Sequence, residues 1–172
     1  MGYYHIVLSP VSRKICTIVT PWGKYEYQRL PMGLCNSPDI FQEKMSELMA
    51  GFEYVRAYID DILITTSSDW QDHLNKLDAV LTRLKKAGLK ANATKSFFGQ
   101  SKTEYLGFWI TRQGISPLPK KVEAIANIAI PTTKKQLRRF IGMVNYYRDM
   151  WLRRSDTLAP LTALTSKAAV WK

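Results

Sequence analysis

Two aspartates side by side between two apolar runs constrain this chain more than any other feature. The stretch Val55-Arg56-Ala57-Tyr58-Ile59-Asp60-Asp61-Ile62-Leu63-Ile64 reads as two short strands meeting at Asp60-Asp61, a β-hairpin within residues 54–66. Aspartate is depleted in strands. Adjacent carboxylates repel each other and resist desolvation. A two-residue hairpin turn usually takes Gly or Asn rather than Asp-Asp. A divalent cation bound by both carboxylates would relieve both problems, and hard oxygen ligands select magnesium or manganese. Two such ions can activate an attacking hydroxyl and stabilise a departing oxygen in phosphoryl transfer. The plainer alternative is a solvent-exposed turn carrying two polar residues.

Charge supplies the second constraint. The formal net charge is +11, and residues 112–172 hold 12 Lys and Arg against 3 Asp and Glu, so only about +2 remains for residues 1–111. A basic half beside a near-neutral half suits a polyanion such as nucleic acid; a merely solvated surface is the competing reading. Lys134, Lys135, Arg138 and Arg139 cluster on one expected helix, where they could meet backbone phosphates without reading sequence. No apolar run approaches the roughly 18 residues of a membrane span, and Met1 to His5 lacks the regions of a signal peptide. Cys16 and Cys35 form no CxxC pair, which argues against a zinc site or disulfide framework.

Along the chain, residues 3–9, 13–20 and 25–30 read as strands and Pro31 to Pro38 as a loop. Ser37-Pro38 reads as a helix start, with Ser37 as cap, for a helix to about Ala50. Residues 70–87 form an amphipathic helix capped by Asp69 and closed by Gly88. Short strands are expected at 95–98 and 104–111. Helices follow at 120–127 and 134–150, the latter capped by Thr133. Mixed strands and helices followed by helices alone indicate an α+β domain over 1–112, then a basic helical domain over 113–172.

Several of these segments match one family in order and spacing. Tyr58-Ile59-Asp60-Asp61 resembles the YxDD signature of reverse transcriptases, and Leu30-Pro31-Met32-Gly33-Leu34-Cys35-Asn36-Ser37-Pro38 resembles their LPxGxxxSP motif, followed by Phe41-Gln42. Gly2 to Ile6 is similar to the end of the first catalytic motif, Gly88-Leu89-Lys90 to Lys95 to the next motif, and Tyr105-Leu106-Gly107-Phe108 to the primer grip. Leu137 to Arg148 resembles the LRxFLGxxNYYR segment of gypsy-class LTR retrotransposon polyproteins, and Ala159 to Thr165 the segment after it.

The resemblance implies a polymerase palm of antiparallel sheet with helices, partial fingers and a helical thumb or connection. It implies RNA-directed DNA synthesis: a primer 3′-hydroxyl attacks a dNTP on an RNA or DNA template, assisted by Mg2+ or Mn2+. Asp60 and Asp61 become metal ligands, Asp60 the more critical. Tyr3 becomes the aromatic that rejects a 2′-hydroxyl, against an ordinary core aromatic as the alternative. Met32 and Gly33 would line the nucleotide and template site. Lys95 would protonate the leaving pyrophosphate, unless it is simply a surface lysine. Leu106 and Gly107 would hold the primer terminus, unless they are a buried strand pair. RNase H and integrase would be companion domains of the parent polyprotein, and the expected location is a cytoplasmic virus-like particle, with the nucleus as the other option.

The family's first motif also carries an aspartate upstream of the sugar-gating aromatic. Counting back from Tyr3, it falls before Met1, as do the basic residues that grip the triphosphate. Trp171-Lys172 stands where an RNase H domain would begin. The expectation is therefore negligible polymerase activity from this chain alone. A non-catalytic nucleic-acid-binding remnant is the rival, although both aspartates are intact. An RNA-dependent RNA polymerase is the other, disfavoured by the usual Gly-Asp-Asp of that class and by Tyr3.

Overall fold

A computed structural model describes residues 2–169 and 171. The expectations attached to Met1 and Lys172 lie outside the described residues. Packing divides the chain into two units, Met1–Gly99 and Gln100–Lys172. The boundary differs from the sequence-based one after residue 112. That position falls in a turn of a continuous three-stranded sheet, which hydrogen bonding keeps in one piece.

The first unit opens with a 3-10 turn, Tyr3–His5, where a strand was expected; the segment pairs only through a bridge between Val7 and Arg29. A short helix α1, Pro10–Ile15, replaces the first half of the second expected strand. Its cause is a helix-start signal: the Ser9 side chain accepts from the Ser12 N–H, and Pro10 sits in the first turn. The β-branched run survives as β1, Thr17–Thr20, paired antiparallel with β2, Gly23–Glu26.

Helix α2, Ser37–Met49, supplies the apolar stripe of the core. Ser37 is not its side-chain cap. The helix starts on Asn36 without a side-chain cap, and the buried Ser37 hydroxyl donates to the Pro31 carbonyl at 2.8 Å. Strands β3, Val55–Tyr58, and β4, Asp61–Ile64, form the expected hairpin. Helix α3, Trp70–Lys86, is capped by Asp69 as expected. The core gathers Phe41, Met45 and Met49 of α2, Val55 of β3, and Val80 and Leu84 of α3. Arg83 ties α3 to the end of α2, donating to the Leu48 and Ala50 carbonyls at 3.2 and 2.6 Å, with its guanidinium over the Phe52 ring. Residues 95–98 form no strand; a 3-10 turn, Ala93–Lys95, is capped by the Asn92 side chain.

The second unit holds a meander of β5, Lys102–Tyr105, β6, Phe108–Thr111, and β7, Gly114–Pro117. The single strand expected at 104–111 is thus a hairpin broken at Leu106-Gly107. Helix α4 spans Pro119–Ala126 and α5 spans Lys134–Asn145, capped by Thr133. Helix α5 stops short of Met150 and gives way to a 3-10 turn, Arg148–Met150. Helix α6, Arg154–Ala163, was not foreseen; Pro160 lies inside it, and Leu158 is its one buried residue.

Met45 is 4% exposed in the centre of the first core. Met45→Ala should lower unfolding free energy by about 2–5 kcal/mol, as deletion of a buried large side chain does, measured by urea denaturation of the chain.

Candidate functional site

The β3–β4 hairpin places its aspartates by register. Val55 pairs with Ile64 and Ala57 with Ile62, and these four lie in or against the core. Tyr58 pairs with Asp61, so the turn residues are Ile59 and Asp60 rather than the two aspartates. Both carboxylates are exposed. Among the described residues, neither has a hydrogen-bond or ion-pair partner, and no group of three or more His, Cys, Asp or Glu could hold a metal ion. The donor set therefore consists of carboxylate oxygens left free at a tip whose base is anchored.

The tip itself is strained. Ile59 has φ +50°, the left-handed region that a β-branched residue rarely adopts, at a cost on the order of 1–3 kcal/mol. Gln42 of α2 offsets it. Its Oε1 accepts the Ile59 N–H at 2.6 Å, and its Nε2 donates to the Ala57 carbonyl at 3.1 Å. The same Nε2 lies 3.1 Å from Ser46 Oγ, one helical turn on. Two hydrogen bonds at about 0.5–1.5 kcal/mol each match the strain they hold in place.

The proline-glycine loop is built to stay open. Leu30 is 2% exposed and its N–H donates to the Ile6 carbonyl at 2.9 Å. The Ser37–Pro31 bond closes the loop base. Between them Met32 is exposed, and Gly33, at φ +95°, has nothing within 4 Å of where a Cβ would stand. The loop runs straight into α2, whose Gln42 reaches the hairpin tip. Tyr3 is half-buried, its ring 5.1 Å from that of Phe41, against the core. Lys95 is exposed, and among the described residues no hydrogen bond or ion pair joins it to either aspartate.

In the second unit, Leu106 and Gly107 form the β5–β6 turn at φ +49° and +80°, the sign pattern of a type I′ turn. Leucine in the first seat costs about 1–2 kcal/mol. Tyr146 donates its hydroxyl to the Leu106 carbonyl, and Tyr147 to the Gly107 carbonyl at 3.3 Å. Burial, with Tyr146 adding to it, pushes the Tyr147 phenol above its usual range.

The four basic residues of α5 separate by helical spacing. Lys134 donates to the Ser166 and Ala169 carbonyls at 2.7 and 2.6 Å, and Arg138 to the Thr165 carbonyl at 2.7 Å. Both are occupied in holding the chain beyond α6. Lys135 and Arg139 are exposed on a neighbouring stripe.

With this geometry in hand, comparison with known proteins is decisive. A family model described as reverse transcriptase (RNA-dependent DNA polymerase) matches residues 1–110. The chain belongs to the reverse transcriptase family. It is 42% identical over 166 residues to the retrovirus-related Pol polyprotein from transposon opus of Drosophila melanogaster, covering 95% of this chain and 16% of that polyprotein. It is 37% identical over 167 residues to the Pro-Pol polyprotein of feline foamy virus, covering 97% of this chain and 14% of the relative. The chain thus spans less than a fifth of the curated relatives it matches. The foamy viral protease-reverse transcriptase in complex with RNA/DNA hybrid superposes at TM-score 0.80 with 28% identity, over 98% of this chain and 23% of that one. A second foamy viral protease-reverse transcriptase structure, with double-stranded DNA, gives TM-score 0.86 and 28% identity over 99% of this chain and 30% of that one. The α+β polymerase fold and the retroelement reverse transcriptase reading both hold.

Gln42 and the Tyr146-Tyr147 pair carry more of the two turns than their motifs disclosed. A signal for Gln42 existed: it stands one helical turn from Ser46, a polar pair bordering the Phe41–Met45 stripe. Gln42→Leu should lower stability by about 1–3 kcal/mol by leaving the Ile59 amide and Ala57 carbonyl without the side-chain partner. Hydrogen exchange at the Ile59 amide should accelerate in the same variant. Unchanged exchange there would contradict the role assigned to Gln42.

Proposed function

We propose that this chain is the part of a gypsy-class retrotransposon reverse transcriptase that carries two of the acidic ligands of RNA-directed DNA synthesis. The observation that carries this reading is the tip of the β3–β4 hairpin: Asp60 and Asp61 exposed and unpartnered, on a turn held by the helix that follows the proline-glycine loop. Free carboxylate oxygens fit Mg2+ or Mn2+, with remaining coordination left to water and substrate phosphates. Bound there, two such ions would supply activation of the primer 3′-hydroxyl and neutralisation of charge on the departing pyrophosphate. Asp60 and Asp61 hold the cations. The open backbone at Gly33, with Met32, admits the nucleotide and template. Tyr3 rejects a 2′-hydroxyl by contact, Lys95 gives a proton to the leaving pyrophosphate, and the Leu106-Gly107 turn supports the primer terminus. Lys135 and Arg139 meet backbone phosphates, whereas Lys134 and Arg138 act through the fold. The foamy viral relatives were solved with an RNA/DNA hybrid and with double-stranded DNA, which supports a template-primer as the partner.

In the reverse transcriptase region of the polyprotein, Asp60→Asn should abolish primer extension with magnesium while template-primer affinity stays within about twofold. Loss of binding as well would mark misfolding, and retained extension would refute the ligand role.

Charge separates the α5 residues. Lys135→Glu with Arg139→Glu should weaken template-primer binding and reduce the slope of log affinity against log salt by about 2, one for each lost phosphate contact. Lys134→Ala should leave that slope nearly unchanged and lower the melting temperature instead. Equal effects on the slope would contradict the division.

A further inference from the structure

We propose that Tyr146 and Tyr147 are positioning residues for the primer-terminus turn: their hydroxyls fix the carbonyls of Leu106 and Gly107, while Phe108 holds the two phenol rings. The inference rests on reading Leu106-Gly107 as the primer grip and adds to it the residues that set the turn's position.

The turn cannot be explained by its own sequence. A type I′ turn favours Asn-Gly because both central residues need positive φ, yet Leu106 occupies the first seat. Gly107 is required in the second, at φ +80°, and a Cβ there would also stand 3.4 Å from the Tyr146 hydroxyl. Both turn carbonyls accept a phenol hydroxyl, Leu106 from Tyr146 and Gly107 from Tyr147.

Two consecutive residues of a regular helix face directions about 100° apart and do not address one spot. Here the geometry changes at the point of need. Helix α5 ends at Asn145, Tyr147 takes φ −99° and ψ 23°, and the chain tightens into the 3-10 turn Arg148–Met150. Asn145 is itself tied down, accepting from Arg154 at 2.5 Å. The rings are held separately from the hydroxyls. Phe108, the first residue after the turn, stacks on Tyr146 at 5.3 Å and 17° and meets Tyr147 edge-on at 5.3 Å and 76°; the tyrosines meet each other at 5.1 Å and 86°. Packing and positioning are therefore separable by a change that removes oxygen alone.

A misplacement of a reacting group by about 1 Å can cost on the order of a hundredfold in rate. A backbone that carries the primer end must be fixed to better than that, and a strained turn left to itself is not.

The experiment is the double variant Tyr146→Phe, Tyr147→Phe in the reverse transcriptase region of the polyprotein. Both rings and their stacking on Phe108 remain. The expected result is a single-turnover primer-extension rate about ten- to hundredfold lower, template-primer affinity within about twofold, a melting temperature lower by only a few degrees, and faster amide exchange across residues 105–108. An extension rate equal to the parent's, or exchange at 105–108 equal to the parent's, overturns the proposal. Phe108→Leu, which loosens the rings but keeps the hydroxyls, should lower both the melting temperature and the extension rate. If the parent protein extends no primer, the reverse transcriptase reading fails, and the exchange comparison still decides whether the tyrosines hold the turn.

Discussion

Everything at the candidate site depends on a backbone that its own residues would not choose. Ile59 sits at φ +50° at the hairpin tip, and the neighbouring aspartates sit where they do only while it stays there. Relaxation of Ile59 toward the extended region would re-aim the tip and shift Asp60 and Asp61 relative to the strands. The Gln42 amide prevents this by engaging the Ile59 N–H and the Ala57 carbonyl together. The hold is stiff because α2 is packed into the core through Phe41, Met45 and Met49. Strain in one turn is thus borne by the core.

The second unit repeats the arrangement with different chemistry. Leu106 occupies a left-handed seat, a nearby segment supplies hydroxyl donors rather than an amide, and a cluster of three aromatic rings serves as the anchor. In each case the turn is short, the strained residue is apolar, and the compensation comes from a helix or its end. Gly or Asn would have made either turn cheaper. A bulky residue in a left-handed seat, held from outside, gives a turn with one position rather than several.

Those compensations explain what could be read in advance and what could not. The hairpin, the amphipathic α3 with its Asp69 cap, and α5 with its Thr133 cap follow from local signals, and the structure has them. Helix α1 was hidden because β-branched Ile15, Thr17, Ile18 and Val19 outweighed the Ser9-Pro10 start. The break at Leu106-Gly107 was hidden because leucine is a poor turn former, and only the Tyr146 and Tyr147 hydroxyls make it serviceable. Ser37 read as a helix cap from its neighbours; in the fold its hydroxyl closes a loop six residues back. Of the four basic residues on α5, sequence gave no way to tell which would be used up, because the acceptors for Lys134 and Arg138 are carbonyls 27 to 35 residues away. Local chemistry was legible, and long-range partners of single side chains were not.

The exposure of the two aspartates follows from the same magnitudes. Buried in the hairpin, a pair of ionised carboxylates would cost several kcal/mol each and would protonate instead. In water, even two unit charges as close as about 4 Å would repel by only about 1 kcal/mol, comparable to a single hydrogen bond of the kind Gln42 makes. The hairpin can therefore keep its shape with both side chains at the tip. Burial is confined to the other end, where Val55 is 5% exposed and Ala57, Ile62 and Ile64 pack against the same core. A hairpin four residues to a strand is just long enough to separate those two environments.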